Sequence, residues 1–243
     1  MRLFGLIGFP LTHSFSKKYF TEKFEKEGLP DCRYDLFPLT SISELPQLLK
    51  ANADLEGLNV TIPYKKSVLS FLNERNELVK QVAACNCIKI INGKLSGYNT
   101  DVIGFERSLE KKLRPGHKTA LILGTGGSSK AVAFVLRKLG IEYKTVSRKP
   151  SVNHFSYDQL TPAMIEKYTL IINTTPLGLF PNITEAPPLP YEAITSKHFL
   201  FDLIYNPEKT LFLKKGEERG SAIQNGYDML VYQAEESWKI WES

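Results

Sequence analysis

Apolar residues fall along this chain in two alternating rhythms. Short apolar runs over 2–8, 120–123, 170–173 and 199–202 predict strands, with 120–123 covered on both faces and 170–173 buried. Between them apolar positions recur at helical spacing. Tyr19, Phe20 and Phe24 predict a helix over 17–27, with Ser16 as its cap. A strand over 34–39 and a helix over 43–53 follow, so the opening reads βαβα, the grammar of an α/β sheet. The stretch 57–62 is a short strand that runs into a turn at Pro63 and sets Lys65 at the start of a helix. The stretch 82–91 leads into a strand, and Asn92-Gly93 is a hairpin signal. The return strand ends over 97–101, and a helix runs from Val102 to about Leu113.

Strands are then predicted over 120–123, 143–146, 170–173, 199–202 and 222–224, separated by helices over 131–139, 162–168 and 210–219. A proline-rich surface loop covers 181–190. The terminal helix reaches Trp241 with Leu230, Ala234, Trp238 and Trp241 on its apolar face. That face is expected to pack back on the first domain; a tail helix completing the second domain is the alternative.

The second half is built around Gly124-Thr125-Gly126-Gly127-Ser128-Ser129, between a buried strand and a helix start. Glycines allow a tight turn and close approach of a phosphate, and a helix N-terminus attracts anions. The third small position of the dinucleotide fingerprint is Ser129 rather than Gly, and no Gly-Lys-Ser/Thr of a triphosphatase loop follows. An ordinary glycine turn is the bland alternative. The next strand ends in Ser147-Arg148-Lys149, where an NAD site would want an acid for the ribose hydroxyl. A guanidinium binds phosphate through two parallel bonds, so this position points to NADP. A basic loop in solvent is the competing explanation.

Composition narrows the class. With 243 residues, two domains fit better than one. A net charge of +5 suits anionic substrates and cofactors and gives no footprint for nucleic acid. Cys32, Cys85 and Cys87 form no paired zinc spacing and imply a reduced, cytoplasmic protein. No signal peptide and no bilayer-spanning run are expected, hence no membrane partner.

Other candidates sit at strand ends, where open α/β sheets bind ligands. They are the hydroxyl-rich loop His13-Ser14-Phe15-Ser16, then Asn59-Val60-Thr61-Ile62-Pro63-Tyr64-Lys65, and Gly97-Tyr98-Asn99-Thr100-Asp101. A solvated lysine at a helix start and a helix cap at Asp101 are the local alternatives.

Those motifs, with Asn86, the glycine loop, Ser147-Arg148, Asn173-Thr174-Thr175-Pro176-Leu177-Gly178 and Gly226-Tyr227-Asp228-Met229-Leu230-Val231-Tyr232-Gln233, closely resemble the shikimate dehydrogenase family from end to end. The resemblance implies reduction of 3-dehydroshikimate to shikimate with NADPH, in chorismate and aromatic amino acid biosynthesis. It implies Lys65 and Asp101 as the catalytic pair. Ser14 and Ser16, helped by Tyr205, would hold the substrate carboxylate. Thr61, Asn86, Asp101 and Gln233 would meet the ring hydroxyls. Gly124, Thr125, Gly126, Gly127, Ser128 and Ser129 would hold the pyrophosphate and Arg148 the 2′-phosphate, with Ser147, Lys149, Thr174 and Gly226 also lining the cofactor site. The chemistry agrees: hydride transfer to a ketone develops alkoxide charge that a lysine stabilises and protonates, oriented by a carboxylate.

The chain departs from the family pattern in several places. Lys17 stands where Pro is usual, Lys149 where a hydroxyl is usual, Cys85 and Cys87 flank Asn86, and Val102 follows Asp101. For both cysteines small packed residues are preferred over redox control.

The expected architecture is two α/β domains. A substrate-binding domain comprises 1–101 plus 226–243, and a Rossmann-type NADP-binding domain comprises 102–225. Partners are the small-molecule substrate and NADP, in a monomer or homodimer. The alternatives are a paralogue that oxidises quinate or prefers NAD, and a non-catalytic NADP-binding regulator; the second should have lost Lys65 or Asp101.

Overall fold

A computed structural model describes residues 1–11, 14–148 and 154–243. The chain divides into two compact units, one of 1–103 with 233–243 and one of 104–232.

The first unit holds β1 (Arg2–Gly8), α1 (Phe15–Lys26), β2 (Cys32–Pro38), α2 (Leu45–Ala51), β3 (Leu55–Val60), β4 (Glu74–Arg75), α3 (Glu77–Val82), β5 (Cys87–Ile91), β6 (Lys94–Tyr98) and the start of α4 (Thr100–Glu110). Its six-stranded sheet runs β2-β1-β3-β5-β6-β4. β1 pairs parallel with β2 and β3, and β5 pairs antiparallel with β3 and β6. The β5–β6 hairpin closes at Asn92 (φ 51°) and Gly93 (φ 74°), the two positive-φ positions that an Asn-Gly turn supplies.

The second unit holds β7 (Thr119–Leu123), α5 (Gly127–Lys138), β8 (Glu142–Val146), β9 (His154–Phe155), α6 (Pro162–Lys167), β10 (Leu170–Asn173), β11 (Phe199–Asp202), α7 (Leu211–Glu217) and β12 (Ala222–Gln224). α8 (Tyr227–Glu242) begins in this unit and ends in the first. The sheet order is β12-β11-β10-β7-β8-β9, parallel throughout the described residues. The reversal of strand order falls at β7, where doubly wound sheets form their ligand crevice. Leu121, Leu123, Val146, Ile171, Leu200 and Phe212 are fully buried around it.

In the first unit, Ala234, Trp238 and Trp241 of α8 join Phe4, Phe20, Phe24 and Tyr34 in one aromatic cluster. Gly57 makes this possible, since a Cβ there would collide with the Trp241 indole. The indole N–H donates to the Ile88 carbonyl at 3.0 Å. So the end of α8 packs on the first unit, as its apolar spacing predicts. Leu230 belongs to the other unit.

Local differences from the sequence reading have local causes. Ser14, not Ser16, caps α1 by accepting from the Lys17 amide at 3.3 Å. The helix expected over 43–53 opens as a 3-10 turn at Ile42–Glu44 with a Ser41/Glu44 capping box, and α2 starts at Leu45 beside Pro46. Asn99 accepts from the Val102 amide at 3.2 Å, so Asp101 is not the cap of α4. The expected divisions at 101/102 and 225/226 fall inside or beside helices that the two units share, with the boundaries at 103/104 and 232/233.

Candidate active site

In the first unit the candidate residues gather at the carboxyl end of β3 and the start of α4. Thr61 is fixed to β1 by its amide, which donates to the Ile7 carbonyl at 2.9 Å. The buried Tyr64 anchors the turn that follows, donating its hydroxyl to the Leu39 carbonyl at 2.6 Å. Lys65 sits in this turn, ahead of a 3-10 turn over Ser67–Phe71 rather than in an α-helix. Its carbonyl accepts from the Cys85 amide at 2.8 Å. Its ammonium donates to Asp101 Oδ2 at 2.7 Å, with both side chains largely buried.

Asp101 Oδ1 accepts from Asn86 Nδ2 at 3.0 Å. The same amide nitrogen donates to Thr100 Oγ1 at 2.9 Å, and Asn86 Oδ1 accepts from the Thr100 amide at 2.6 Å. Thr100 Oγ1 lies 3.5 Å from Gln233 Oε1, so α8 delivers Gln233 to this cluster. Ser14 and Ser16 are half-buried at the start of α1, and Ser16 hydrogen-bonds the buried Tyr34 hydroxyl. The structure thus brings together Lys65, Asp101, Asn86 and Gln233.

The sequence names Asn59 and Thr100 only within their motifs, without a role, and does not single out Tyr34 or Ser237 beneath the site. Tyr34, Asn59, Thr100 and Ser237 are each at most 4% exposed and hydrogen-bonded to one another. The available signal was a polar residue on an otherwise apolar face: Asn59 within β3, and Ser237 beside Trp238 on α8.

Burial pushes the Cys85 thiol up to about 12 and raises Cys87 further, so neither is a thiolate at neutral pH. Among the described residues no group of three or more His, Cys, Asp or Glu could hold a metal ion. No helix of the described residues is long and apolar enough to cross a membrane.

In the second unit, Gly124 (φ +107°) turns the chain at the end of β7. A Cβ there would lie 2.7 Å from Thr174 Oγ1, so only glycine lets the two strand-end loops approach this closely. Thr174 donates its hydroxyl to the Leu123 carbonyl at 2.7 Å. α5 starts at Gly127 with no side-chain cap and no acid in its first turn. Thr125, Gly126 and Gly127 are exposed, and nothing lies near a Cβ built at Gly126. Bare first-turn amides, an approachable backbone and a helix dipole fit the pyrophosphate of a dinucleotide. Ser129 is buried and its hydroxyl donates to the Gly126 carbonyl at 2.6 Å, so its hydroxyl proton is engaged within the turn.

Val146 ends the neighbouring strand with its carbonyl on the Gly124 amide at 2.8 Å, which puts Ser147 and the exposed Arg148 beside the glycine turn. Lys149 lies outside the described residues. Gly226 allows contact with the Leu203 backbone that a Cβ would block. Tyr205 is half-buried after β11. At the ends of β10 and β11, Asp202 accepts from Asn173 at 3.1 Å and from Thr210 at 2.6 Å. Burial raises its carboxyl to about 6 against these bonds.

Known proteins share both this sequence and this fold. Residues 6–88 match the family described as shikimate dehydrogenase substrate binding domain. A shikimate dehydrogenase (NADP(+)) of Caldicellulosiruptor saccharolyticus is 38% identical over 259 residues, covering 99% of this chain and 92% of the relative. A crystal structure of a Thermus thermophilus shikimate 5-dehydrogenase in complex with NADP(H) and shikimate is similar with TM-score 0.87 and 30% identity, over 99% of this chain and 93% of that one. Another, of a shikimate dehydrogenase in complex with NADP+, gives TM-score 0.87 and 32% identity over 99% and 90% of the two chains.

Proposed function

The chain belongs to the shikimate dehydrogenase family, and from that premise we propose that it reversibly reduces 3-dehydroshikimate to shikimate with NADPH, a step of chorismate and aromatic amino acid biosynthesis. The observation that carries the reading is the largely buried Lys65–Asp101 pair at 2.7 Å. Held by the glycine turn, NADPH would supply the hydride that reduces the substrate ketone. Lys65 stabilises the alkoxide that develops and gives it a proton from Nζ; in oxidation it takes that proton back. Asp101 aims the ammonium, and its second oxygen is already held by Asn86.

The other roles are those the family resemblance implies. Ser14, Ser16 and Tyr205 take the substrate carboxylate, and Thr61, Asn86, Asp101 and Gln233 the ring hydroxyls. Gly124 to Ser129 hold the pyrophosphate through backbone amides, with Thr174 and Gly226 shaping the loops around it. Ser147, Arg148 and Lys149 take the 2′-phosphate. Substrate binding is assigned to 1–101 with 226–243, and the cofactor to 102–225. We place the enzyme in the cytoplasm as a monomer or homodimer, acting on small molecules rather than nucleic acid or membrane.

The test is direct. Purified protein is incubated with shikimate and NADP+ or NAD+, and nicotinamide reduction is followed by absorbance. Rapid reduction with NADP+ and little with NAD+ is expected. No reduction with either sinks the substrate assignment, and quinate is then the substrate to try. Lys65→Ala should lose about 10²–10⁴-fold in kcat with an unchanged circular dichroism spectrum. Turnover near wild type in that variant removes Lys65 from the chemistry.

A further inference from the structure

The candidate active site rests on a buried polar chain that none of its expected roles requires. Beginning under the serine loop, Ser16 hydrogen-bonds the Tyr34 hydroxyl, which donates to Asn59 Oδ1 at 2.8 Å. Asn59 Nδ2 donates to Ser237 Oγ at 3.0 Å. Ser237 Oγ lies 3.2 Å from Thr100 Oγ1, and Thr100 Oγ1 accepts from Asn86 Nδ2 at 2.9 Å. Asn86 Nδ2 also donates to Asp101 Oδ1, whose carboxylate holds Lys65.

Donors and acceptors match along the whole path. The single proton of Ser237 goes to the Gln233 carbonyl at 2.9 Å, one turn back on α8. Its oxygen therefore accepts from both Asn59 and Thr100. Thr100, donating to Ser237, is left to accept from Asn86. Asn86 must then present its amide nitrogen, not its oxygen, to Asp101. Its oxygen is held by the Thr100 amide at 2.6 Å. One hydroxyl on the C-terminal helix thus sets the sense of the bonds from Asn59 to Thr100, and leaves Thr100 Oγ1 as an acceptor for the Asn86 amide that also meets the Asp101 carboxylate. Ser237 is fully buried and Thr100 is 1% exposed, so no bulk water competes for these positions.

We propose that Ser237 is a positioning residue for the reaction: by accepting from both Asn59 and Thr100 it fixes the amide of Asn86 and, through it, Asp101 and Lys65. This rests on the assignment of Lys65 and Asp101 to the chemistry. Ser237 touches no reacting atom. Without its oxygen, Thr100 has no buried acceptor except the more distant Gln233 amide, so its hydroxyl is no longer held as the acceptor for Asn86 Nδ2, and one of the three bonds that hold that amide is weakened.

The test uses the full chain with shikimate and NADP+. Ser237→Ala should lower kcat about tenfold, a fraction of what general acid–base catalysis contributes. The KM for NADP+ should stay at the wild-type value, because only the proton-transfer side is disturbed. The solvent deuterium isotope effect on kcat should rise as proton transfer becomes slower than the other steps. Ser237→Thr, which keeps the hydroxyl, should recover most of kcat. Tyr34→Phe keeps the ring stacked on Phe20 at 4.7 Å and removes the hydroxyl that donates to Asn59 and meets Ser16. It should lower kcat less, and the double variant should lose less than the product of the two single losses, as coupled sites do.

Wild-type kcat and isotope effect in Ser237→Ala overturn the proposal, as does failure of Ser237→Thr to recover kcat. If Ser237→Ala does not fold, Tyr34→Phe carries the test, and wild-type kcat there overturns the proposal. Lys65→Ala run alongside separates the two levels. If it keeps wild-type turnover, the Lys65 assignment fails and this inference falls with it. If it is inactive while Ser237→Ala is unaffected, only this inference fails.

Discussion

Two neighbouring residues compete for the first turn of α4, and the outcome shapes the site. Asn99 takes the cap, leaving Asp101 free to accept from Lys65 and Asn86. From sequence, Asp101 reads equally well as a cap, because both residue types favour that position. Ser14 and Ser16 pose the same problem at α1, and only the backbone turn decides it. Lys65 and Asp101 were legible because their motifs are specific to this family and its near relatives, and Asn86 and Gln233 through the same resemblance. Ser237 was not, since nothing local tells a buried serine with three partners from one that merely fits. Arg148 is legible by its place after β8 and is exposed in the structure. Arg148→Glu should raise the KM for NADP+ about tenfold or more, and that for NAD+ far less, because only NADP+ carries the 2′-phosphate. Equal effects on both cofactors, in parallel titrations, would refute the contact.

Elements were read most reliably where the apolar run was continuous. β1, β7, β10 and β11 fall where their runs predict, because strands buried on both faces leave little choice of residue. The six-residue α3 and the two-residue β4 carry too few positions for a period to show. α8 docks because Gly57 leaves room for Trp241. Gly57→Ala should therefore destabilise the protein by about 1–3 kcal/mol through overpacking. A urea midpoint equal to wild type would show that the indole can move aside freely. At the other end of the second sheet, His117 ties the turn before β7 to that before β11. Its Nδ1 accepts from the Arg114 amide at 3.0 Å, and its ring also hydrogen-bonds the Lys197 backbone. Burial, helped by the charges of Arg114 and His198, holds the imidazole below its ordinary 6.5. A group depressed on folding contributes stability above its unfolded value and loses it as pH falls. Between about pH 7 and pH 5, wild type should therefore lose more stability than His117→Gln. Equal losses in paired urea titrations would contradict this.

The whole molecule is one unit interrupted by another: 104–232 is inserted between 1–103 and 233–243. That return was legible from the apolar face of α8, because a helix with two tryptophans on one side must cover something. Where the division falls within α4 and α8 was not, since a continuous helix carries no mark of which neighbour each turn packs on. A chain ended at Tyr232 should keep the parallel sheet of the second unit but lack Gln233, Ser237 and the Trp238–Trp241 cover. It should show no turnover with shikimate, together with increased binding of a dye that reports exposed apolar surface. Wild-type turnover would show that α8 is dispensable.

The position of α8 also gives the molecule an order in time. Residues 233–243 leave the ribosome after everything they must cover. Phe4, Phe20 and Tyr34 are made early and wait, without their aromatic partners from α8, while 104–232 is translated. At about 5–20 residues per second that wait is on the order of ten seconds. The inserted unit, continuous in sequence, is free to fold first. The first unit closes only after 233–243 have been made, so a polypeptide interrupted before them carries Lys65 and Asp101 without the helix that completes their surroundings.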